Sequence, residues 1–313
     1  MSDDLEYLIA YSNLTNNLFS NQKHFCDRKL LNKFYKDISL GFPICLPANI
    51  KYFNYNKAKF YRIDKSEFAK KIFNTKNLNY IGVKKFFRYG DIFAHNVSIK
   101  FKYRDKLVKY HNNFIKLKKK ILTIRKNNQK ICAMQIRNVP HFGHEAIFKH
   151  ILSRFDFLFL NPIFGIKKKN DFNNRQISIA LNYIKKKYKR IFFMPIWTNF
   201  HYAGPREAFH HMHIRQNLGF SHFYVGRDHA GAESLYKVNA AANNVKKYKK
   251  NFIIKPFISA GGYYCSKCKN YVIKNQCRHK NLKNISGTEF RQYIRNKKIY
   301  VHADKKIQKL LFK

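Results

Sequence analysis

Polar residues that could bind an anion follow the apolar run 131–134. Gln135 and Arg137 are two residues apart, so both side chains lie on one face of an extended segment. His141 and His144 come next, where the apolar spacing changes to that of a helix. Free N–H groups at a helix start attract anions. The pattern therefore predicts a strand-to-helix turn on which four polar side chains converge around an anion such as a phosphate.

Three other segments have the composition of ligand-binding turns or helix starts. Residues 226–231 follow an apolar run and contain two glycines, which let backbone N–H groups approach an anion. The same segment contains Arg227, which can bind two phosphate oxygens. Residues 202–207 open a further helix, and residues 285–291 have the hydroxyl side chains and the glycine of a helix cap. Taken singly, each of these signals is equally consistent with an ordinary surface turn.

Cys265, Cys268, Cys277 and His279 have the side chains of a zinc site. Zn²⁺ binds three thiolates and an imidazole in structural sites, and the first two cysteines have the Cys-x-x-Cys spacing. Only one residue separates Cys277 from His279, so a turn is needed to bring both to one metal. We expect structural Zn²⁺ here, the alternative being three reduced thiols without a metal. The pattern does not predict a catalytic metal.

The segments that must position these residues alternate between strand and helix patterns from residue 130 onward. The predicted strands are 131–136, 157–160, 191–196 and 221–225. The predicted helices are 144–155, 173–188, 205–217 and 232–244. Such alternation indicates a parallel sheet with crossover helices, in which ligands bind beyond the carboxyl ends of the strands. The polar turns 135–145 and 226–231 both follow such ends.

The first part of the chain has a different pattern. Residues 1–110 contain short apolar stretches without long helical periodicity after Asp37, which indicates a small β-rich domain. Residues 112–128 are strongly charged and predict an amphipathic connecting helix. The apolar stripe of this helix consists of Phe114, Leu117, Ile121 and Ile124.

The composition is strongly basic. The chain has 313 residues, with 63 Lys and Arg against 17 Asp and Glu, and a formal net charge of +46. Such a charge is typical of proteins that bind nucleic acid or acidic membranes. Here the basic residues are spread along the whole chain and accompany frequent Asn, Ile, Phe and Tyr. We therefore attribute the charge to an AT-rich genome, with weak, non-specific adhesion to nucleic acid as a by-product.

The remaining sequence features predict a cytoplasmic protein. The N-terminus is acidic rather than basic, and no apolar run approaches the roughly 18 residues that span a bilayer. Six cysteines in a chain of this size do not form a disulfide framework. Cys26, Cys45 and Cys132 are singly placed, and we expect them to be small, mostly buried residues.

In their order along the chain, the four motifs resemble the ATP sulfurylase family, whose members join sulfate to the α-phosphate of ATP. The residues that carry the resemblance are 135–144, 202–207, 226–231 and 285–291, with weaker similarity at 41–44, 82–85, 90–91 and 161–171. The resemblance implies an α/β fold, with a Rossmann-like nucleotidyltransferase domain and a parallel sheet in residues 111–264. A small PUA-like β-rich domain in residues 1–110 would precede it. A short C-terminal piece, residues 265–313, would follow with the zinc knuckle and a helical segment.

The chain departs from the family pattern in three places. Val139 separates Asn138 from Pro140, although the family more often has proline directly after the asparagine. His201 stands where another basic residue is common. The family's Phe-Ser-Pro-Leu-x-Gly-Phe stretch has no clear counterpart near the N-terminus. These departures concern the substrate loops more than the reaction.

The resemblance implies a sulfate adenylyltransferase, which converts ATP and sulfate to adenylyl sulfate and pyrophosphate, or runs in reverse. The reaction is a direct in-line attack at the α-phosphate without a covalent enzyme intermediate. The residues expected to bind sulfate are Gln135, Arg137 and Ala230. The residues expected to bind ATP are His141, His144, Gly226, Arg227, Asp228 and His229. The residues expected to be catalytic are Arg137, Asn138, His141, His144 and Arg227.

The expected cofactors and partners follow from the same resemblance. Mg²⁺ is expected with ATP, and structural Zn²⁺ at the cysteine cluster. The expected small-molecule partners are ATP, sulfate, adenylyl sulfate and pyrophosphate. The family's habit implies a homo-oligomer, with no specific nucleic acid and no membrane as a partner.

Two other functions remain open at this point. One is a basic zinc-ribbon protein that binds nucleic acid, which the charge, the aromatic residues and the cysteine cluster favour. The other is a different nucleotidyltransferase of the His-x-Gly-His type with another acceptor in place of sulfate. The residues alone do not identify the acceptor, nor the direction in which the reaction runs.

Overall fold

The structure is a computed structural model that describes residues 4–19, 21–165, 171–226, 229 and 235–312. The first part of the chain contains four helices and five short strands. The helices are α1 Leu5–Thr15, α2 Arg28–Lys36, α3 Lys65–Phe68 and α4 Ile81–Phe87. The strands are β1 Leu46–Pro47, β2 Phe53–Asn54, β3 Lys59–Arg62, β4 Ile92–His95 and β5 Ser98–Ile99. Single turns of 3-10 or π geometry are Ile38–Leu40, Ala69–Phe73 and Phe101–Tyr103.

The strands of this first part form two small antiparallel sheets. β4 lies between β1 and β3, and β2 pairs with β5. Each strand has only two to four residues, and helices occupy more of the described chain than strands do. The structure therefore does not confirm a PUA-like β-rich domain at residues 1–110, which stays a prediction.

The helix α5, Arg104–Arg125, connects this part to the central sheet. It begins eight residues before the predicted start at residue 112. Its buried residues are Tyr110, Leu117, Ile121 and Ile124, so three of the four predicted stripe positions are confirmed as buried. Tyr110 adds a turn that the sequence pattern did not include, because polar residues flank it: Lys109 precedes it, and His111, Asn112 and Asn113 follow.

The central sheet is parallel, as the alternation of patterns predicts, and it has five strands. The strands are β6 Ile131–Ile136, β7 Phe157–Pro162, β8 Ile191–Phe193, β9 His222–Val225 and β10 Lys255–Ile258. The helices between them are α6 Phe142–Leu152, α7 Asn174–Lys187, α8 Pro205–Leu218 and α9 Ala240–Tyr248. A 3-10 turn, Lys249–Asn251, precedes β10. In space the strands lie in the order β10-β9-β6-β7-β8.

Several boundaries differ from the predicted ones. The predicted strand 191–196 ends at Phe193, and Ile196 makes only an isolated bridge to Ile163. The predicted helix 232–244 begins partly outside the described residues, and α9 starts at Ala240. The strand β10 was not predicted, because a run of lysines and asparagines precedes its short apolar segment.

Alternate residues of the central strands bury against two different cores. On β6, Ile131 and Ala133 belong to one core, and Cys132 and Met134 belong to the other. The first core also contains α5, α8, α9 and the whole N-terminal part of the chain, from Leu8 onward. The second contains α6, α7 and the C-terminal helices. The sheet is therefore covered on both faces, which is the arrangement of a doubly wound α/β fold.

The C-terminal part is a small sheet followed by two helices. The strands are β11 Gly262–Cys265, β12 Asn270–Ile273 and β13 Leu282–Asn284, and the helices are α10 Gly287–Arg295 and α11 Lys305–Phe312. A 3-10 turn, Lys274–Gln276, follows β12. β11 pairs antiparallel with both β12 and β13. None of the helices within the described residues combines the length and the apolar character that a membrane crossing requires.

Candidate active site

A cavity of about 300 Å³ opens at the carboxyl ends of β6 and β9. These strands are neighbours, although β7 and β8 lie between them along the chain. After β6 the chain forms β7 and β8 on one side of that strand. It then crosses back and forms β9 and β10 on the other side of β6. This reversal creates a crevice at which doubly wound sheets bind ligands. Gly226 and His229 of the second polar turn therefore line the same cavity as residues of the first.

Gln135 and Arg137 form the strand side of this cavity. Gln135 is the fifth residue of β6 and lies beside Asn161 on β7. Its Oε1 atom is buried and has no hydrogen-bond partner among the described residues. Arg137 lies two residues further on and also lines the cavity. The Nε2 group of the Gln135 amide and the Arg137 guanidinium can both donate hydrogen bonds to an oxyanion in this cavity.

Asn138 also lines the cavity, but its side chain has a protein partner. Its Oδ1 atom accepts a hydrogen bond of 2.7 Å from Arg291 on α10. Arg291 in turn donates to the Thr288 hydroxyl at 3.0 Å and lies 3.8 Å from Asp171. Arg291 was not assigned a role from sequence, although it ends the motif 285–291. The motif 285–291, which lies near the C-terminus, therefore contacts Asn138 of the motif 135–144.

His141 and His144 form the helix side of the cavity and are called the α6 histidines below. His141 precedes the first residue of α6, and its backbone N–H donates to Nδ1 of His144 at 3.3 Å. This bond leaves the proton of neutral His144 on Nε2. The two rings lie 4.0 Å apart. The Nδ1 atom of His141 is buried without a hydrogen-bond partner among the described residues, so it can bond to a polar group in the cavity.

Burial keeps the α6 histidines neutral. It lowers the pKa of His144 to about 4, because no nearby carboxylate compensates for the lost hydration of the charged ring. Burial also lowers the pKa of His141 well below its usual value, and neighbouring His144 and His302 lower it further. At neutral pH both rings therefore act as hydrogen-bonding groups rather than as fixed positive charges.

The unusual turn residues do not prevent the α6 histidines from reaching the cavity. Val139 is fully buried in the core beside α6, and Pro140 is buried next to it. Both histidines line the cavity with Gln135 and Arg137. The core therefore accommodates Val139, the additional residue between Asn138 and Pro140.

The start of α6 packs directly on the C-terminal sheet. A side chain at Gly262, the first residue of β11, would place its Cβ atom 2.0 Å from the carbonyl oxygen of Gly143. The N–H group of Phe142 donates to the carbonyl of His302 at 2.9 Å. One of the first N–H groups of α6, which the sequence pattern predicts to be free for an anion, is thus already bonded. The C-terminal part instead fixes the position of the α6 histidines.

A second group of titratable residues reaches the cavity from α8. Glu207 lies in the first turn of α8 and is buried, with 1% of its surface exposed. Its carboxylate accepts hydrogen bonds of 2.9 Å from the backbone N–H groups of His201 and Ala203. One turn further on, Nε2 of His211 lies 3.7 Å from Oε1 of Glu207. The other ring nitrogen of His211, Nδ1, lies 3.1 Å from Nε2 of His229.

Burial shifts the pKa of each of these three groups. The pKa of Glu207 rises to about 7, because burial outweighs the two backbone N–H donors and the positive charge of Lys85. Burial lowers the pKa of His229 to about 3 and that of His211 well below its usual value. Glu207 and His229 line the cavity, whereas His211 is buried behind them with 0% exposure. Sequence analysis assigned no role to Glu207 or His211, because a helix beginning Pro-Arg-Glu gives no sign of what its buried face contacts.

The structure places most of the predicted site residues in one cavity. Those that line it are Gln135, Arg137, Asn138, His141, His144, Gly226 and His229. The predicted residues Arg227, Asp228 and Ala230 lie outside the described residues. The roles of all these residues in binding or catalysis stay predictions.

The predicted metal ligands also come together. The ligand atoms of Cys265, Cys268, Cys277 and His279 all lie within 4.8 Å of one another. The Sγ atom of Cys277 lies 3.6 Å from that of Cys265 and 3.8 Å from that of Cys268. Nδ1 of His279 lies 3.2 Å to 3.7 Å from the three sulfur atoms. Four ligands about 2.3 Å from a tetrahedral Zn²⁺ are about 3.8 Å from each other, so these atoms fit one zinc ion.

Two further features suit this cluster to a metal. The backbone N–H of Cys268 points at Sγ of Cys265 at 3.4 Å and lowers the pKa of that thiol, which favours the thiolate form that binds metals. Cys277 has an extended backbone rather than the turn that the short spacing suggested, and its sulfur atom and Nδ1 of His279 lie 3.7 Å apart. The short spacing between these two residues is therefore compatible with one metal.

Comparison with known proteins agrees with this geometry. The family described as ATP-sulfurylase matches residues 116–302. The sulfate adenylyltransferase of Pyrococcus abyssi is 34% identical over 240 residues, which is 75% of this chain and 62% of the relative. That of Ignicoccus hospitalis is 34% identical over 236 residues, which is 74% of this chain and 61% of the relative. The chain thus spans about three fifths of the length of these relatives.

A solved structure has a similar fold. The structure described as hexameric APS kinase from Thiobacillus denitrificans superimposes with a TM-score of 0.52 at 14% sequence identity. The superposition covers 71% of this chain and 44% of that one. At this level of identity the likeness concerns the fold alone.

Proposed function

The chain belongs to the ATP-sulfurylase family, and from that premise we propose that it is a sulfate adenylyltransferase. It joins sulfate to the α-phosphate of ATP and releases pyrophosphate, or runs in reverse and makes ATP. The observation that carries the proposal is the cavity in which Gln135 and Arg137 lie on the strand side and the α6 histidines lie on the helix side. A cavity with two hydrogen-bonding side chains on its strand side and two on its helix side can bind two anions next to each other.

The proposed reaction brings two negatively charged species together, so the protein must offset their repulsion. Gln135 and Arg137 hold the sulfate, together with the backbone near Ala230. The α6 histidines contact the phosphates of ATP and stabilise the charge that develops on the leaving pyrophosphate. Asn138 and Arg227 complete the phosphate site, with Asn138 held in place by Arg291 at 2.7 Å. Catalysis is then positioning and electrostatic stabilisation, with direct attack of sulfate on the α-phosphorus and no covalent enzyme intermediate.

Mg²⁺ is proposed to enter with ATP rather than to bind the empty protein. Among the described residues that line the cavity, Glu207 is the one carboxylate, and both of its oxygens accept backbone hydrogen bonds. Mg²⁺ binds oxygen ligands and often keeps those of phosphates and water, so the substrate itself supplies them here. When bound, the ion neutralises part of the phosphate charge.

Structural Zn²⁺ is proposed at Cys265, Cys268, Cys277 and His279, whose ligand atoms fit a tetrahedral ion. The ion would hold the strands β11 to β13 together, and through Gly262 it would support the start of α6. Elemental analysis of the purified protein tests this, and we expect about one zinc per chain. The variant Cys268→Ser should contain clearly less zinc. Protein that holds only traces of zinc while its thiols remain intact would exclude the site.

The reaction is tested by mixing adenylyl sulfate and pyrophosphate with the purified chain and measuring the ATP formed. We expect ATP to appear only when both substrates are present. The variant Arg137→Ala, which removes the guanidinium proposed to bind sulfate, should fold normally and lose this activity. The absence of ATP formation by the wild-type protein, or unchanged turnover in Arg137→Ala, would contradict the proposed function or this role respectively.

A further inference from the structure

A row of titratable groups runs from the core into the cavity. It begins at Glu207, continues through His211 at 3.7 Å, and ends at His229 a further 3.1 Å away. The middle residue, His211, is fully buried and faces the other two through its two different ring nitrogens. Its Nδ1 atom lies within hydrogen-bond distance of His229, whereas its Nε2 atom has no hydrogen-bond partner among the described residues and must move slightly closer to Glu207 for a proton to pass. An imidazole in such a position can accept a proton on one nitrogen and release another proton from the second.

We propose that Glu207, His211 and His229 form a buried proton relay that charges His229 when a polyphosphate enters the cavity. The proposal rests on the proposed function, because it identifies the residues that would adapt the cavity to an anionic substrate. These three residues are called the relay residues below. His229 is the member that lines the cavity beside the predicted loop 226–231, so a charge on its ring lies where phosphates are expected.

The proton transfer balances without any added reactant. The Glu207 carboxyl group gives its proton to Nε2 of His211. The proton on Nδ1 of His211 passes to Nε2 of His229. The result is a Glu207 carboxylate, a neutral His211 in its other tautomer, and a positively charged His229. The carboxylate that forms is already solvated by two backbone N–H groups, those of His201 and Ala203.

The surrounding charges keep the relay in its neutral form until an anion arrives. Among the described residues, the titratable and charged groups that face the relay residues are Lys85, Arg137, His201 and Tyr236 from other elements, and His210 and Arg215 from α8 itself. Arg215 is fully buried, and its Nη1 atom lies 3.5 Å from the carbonyl oxygen of His211. Its Nε and Nη2 atoms have no hydrogen-bond partner among the described residues. This positive environment opposes a second charge on His229, and a polyphosphate would reverse that balance.

The source of the proton depends on pH. Burial raises the pKa of Glu207 to about 7, so at pH 6 the carboxyl group already holds the proton that the relay transfers. At pH 8 the carboxyl group is mostly ionised, and the proton must come from solvent as the ligand binds. The relay therefore predicts an uptake of up to about one proton per bound polyphosphate at pH 8, and none through this route at pH 6.

The experiment measures proton uptake when inorganic pyrophosphate binds. Binding enthalpies are recorded by calorimetry in buffers of different ionisation enthalpy, at pH 6 and pH 8, for the wild-type protein and for His211→Gln. Glutamine retains a polar side chain of similar reach but cannot pass a proton between two atoms. The matched control is His213→Gln, which replaces another buried histidine of α8, one that contacts the Ser39 carbonyl at 2.9 Å and does not line the cavity.

At pH 6 we expect His211→Gln to take up more protons than the wild-type protein and His213→Gln, by up to about one proton per chain, because Glu207 can no longer pass its proton on and His229 must take one from solvent. At pH 8 the proton comes from solvent in every case, so the three proteins should agree. Protonation changes of pyrophosphate itself are the same in all three and cancel in the comparison. Equal uptake by the wild-type protein and His211→Gln at pH 6 would overturn the relay while leaving the proposed function intact. Failure of the wild-type protein to bind pyrophosphate would overturn both.

Discussion

Two sets of histidines lie at the same cavity, and they differ in what their ring nitrogens contact. The α6 histidines, His141 and His144, are tied to each other through a backbone N–H group. The histidines of the relay, His211 and His229, are joined ring to ring, and a buried carboxyl group lies at the far end. Both sets are neutral because they are buried.

This difference shows that burial alone does not decide what a histidine can do. The His144 ring accepts a hydrogen bond from a backbone N–H, which cannot give up its proton, and among the described residues neither α6 histidine is bonded to a carboxyl group. The relay histidines have access to a carboxyl group whose pKa is raised to about 7, so a proton can reach them. The first set supplies fixed positioning, and the second is proposed to supply an adjustable charge.

The largest effect is expected from His141→Ala, which removes a group proposed to contact the phosphates. Loss of one such donor typically lowers turnover by roughly 10²-fold to 10³-fold. Because the α6 histidines do not exchange protons with a carboxyl group, we expect the factor to be the same at pH 6 and pH 8. Steady-state ATP formation measures it, and circular dichroism checks the fold. Turnover close to that of the wild-type protein, or a loss that changes strongly with pH, would contradict this assignment.

A smaller effect is expected from Gly262→Ala, which disturbs the α6 histidines without changing them. The new Cβ atom would lie 2.0 Å from the Gly143 carbonyl oxygen, so β11 and the start of α6 must separate. Displacement of catalytic groups by about 1 Å can lower turnover by up to about 10²-fold, and we expect a loss of about 10-fold or more. The control is Gly90→Ala, where a Cβ atom meets nothing within 4 Å. Equal turnover in the two variants would show that this contact does not position α6.

The smallest effect concerns stability in acid, where both sets of histidines act alike. The unfolded chain protonates its histidines below about pH 6.5, whereas burial holds the pKa of His144 at about 4 and that of His210 and His229 at about 3. The unfolded state therefore binds more protons between these values, and the free energy of unfolding falls as the pH is lowered from about 6.5 to about 4. Glu207 opposes this between about pH 7 and pH 4.5, because its folded pKa is raised.

Urea unfolding at a series of pH values measures this slope. Each buried histidine contributes up to about 1.4 kcal/mol per pH unit, and the histidines outnumber the single opposing carboxyl group. The variant His210→Gln removes one of them and lies outside the cavity lining, so it should make the slope shallower. A stability that stays constant or rises as the pH falls through this range would contradict the neutral state of these rings.

The sequence predicted the parts of the fold that depend on local patterns. The strand at 131–136 is confirmed to the residue, and the helix at 205–217 is confirmed within one residue, because Pro205 and Gly219 mark its ends. Ser286 accepts a hydrogen bond from the N–H of Glu289, as the capping pattern at 285–291 predicts. The early start of α5 and the strand β10 were missed, because polar residues hide the apolar side of each segment.

By itself the sequence determined which side chains of this protein could do chemistry. Short segments with a characteristic residue spacing contain Gln135, Arg137, the α6 histidines and the four metal ligands. Only the tertiary structure decided which distant residues support them. In the folded chain Arg291 donates a hydrogen bond to Asn138, Gly262 packs against Gly143, and His229 lies 3.1 Å from His211. The physical reason is that periodicity, caps and ligand spacing are properties of neighbouring residues. The order of strands and the burial of a charged group instead depend on contacts between residues far apart in the chain.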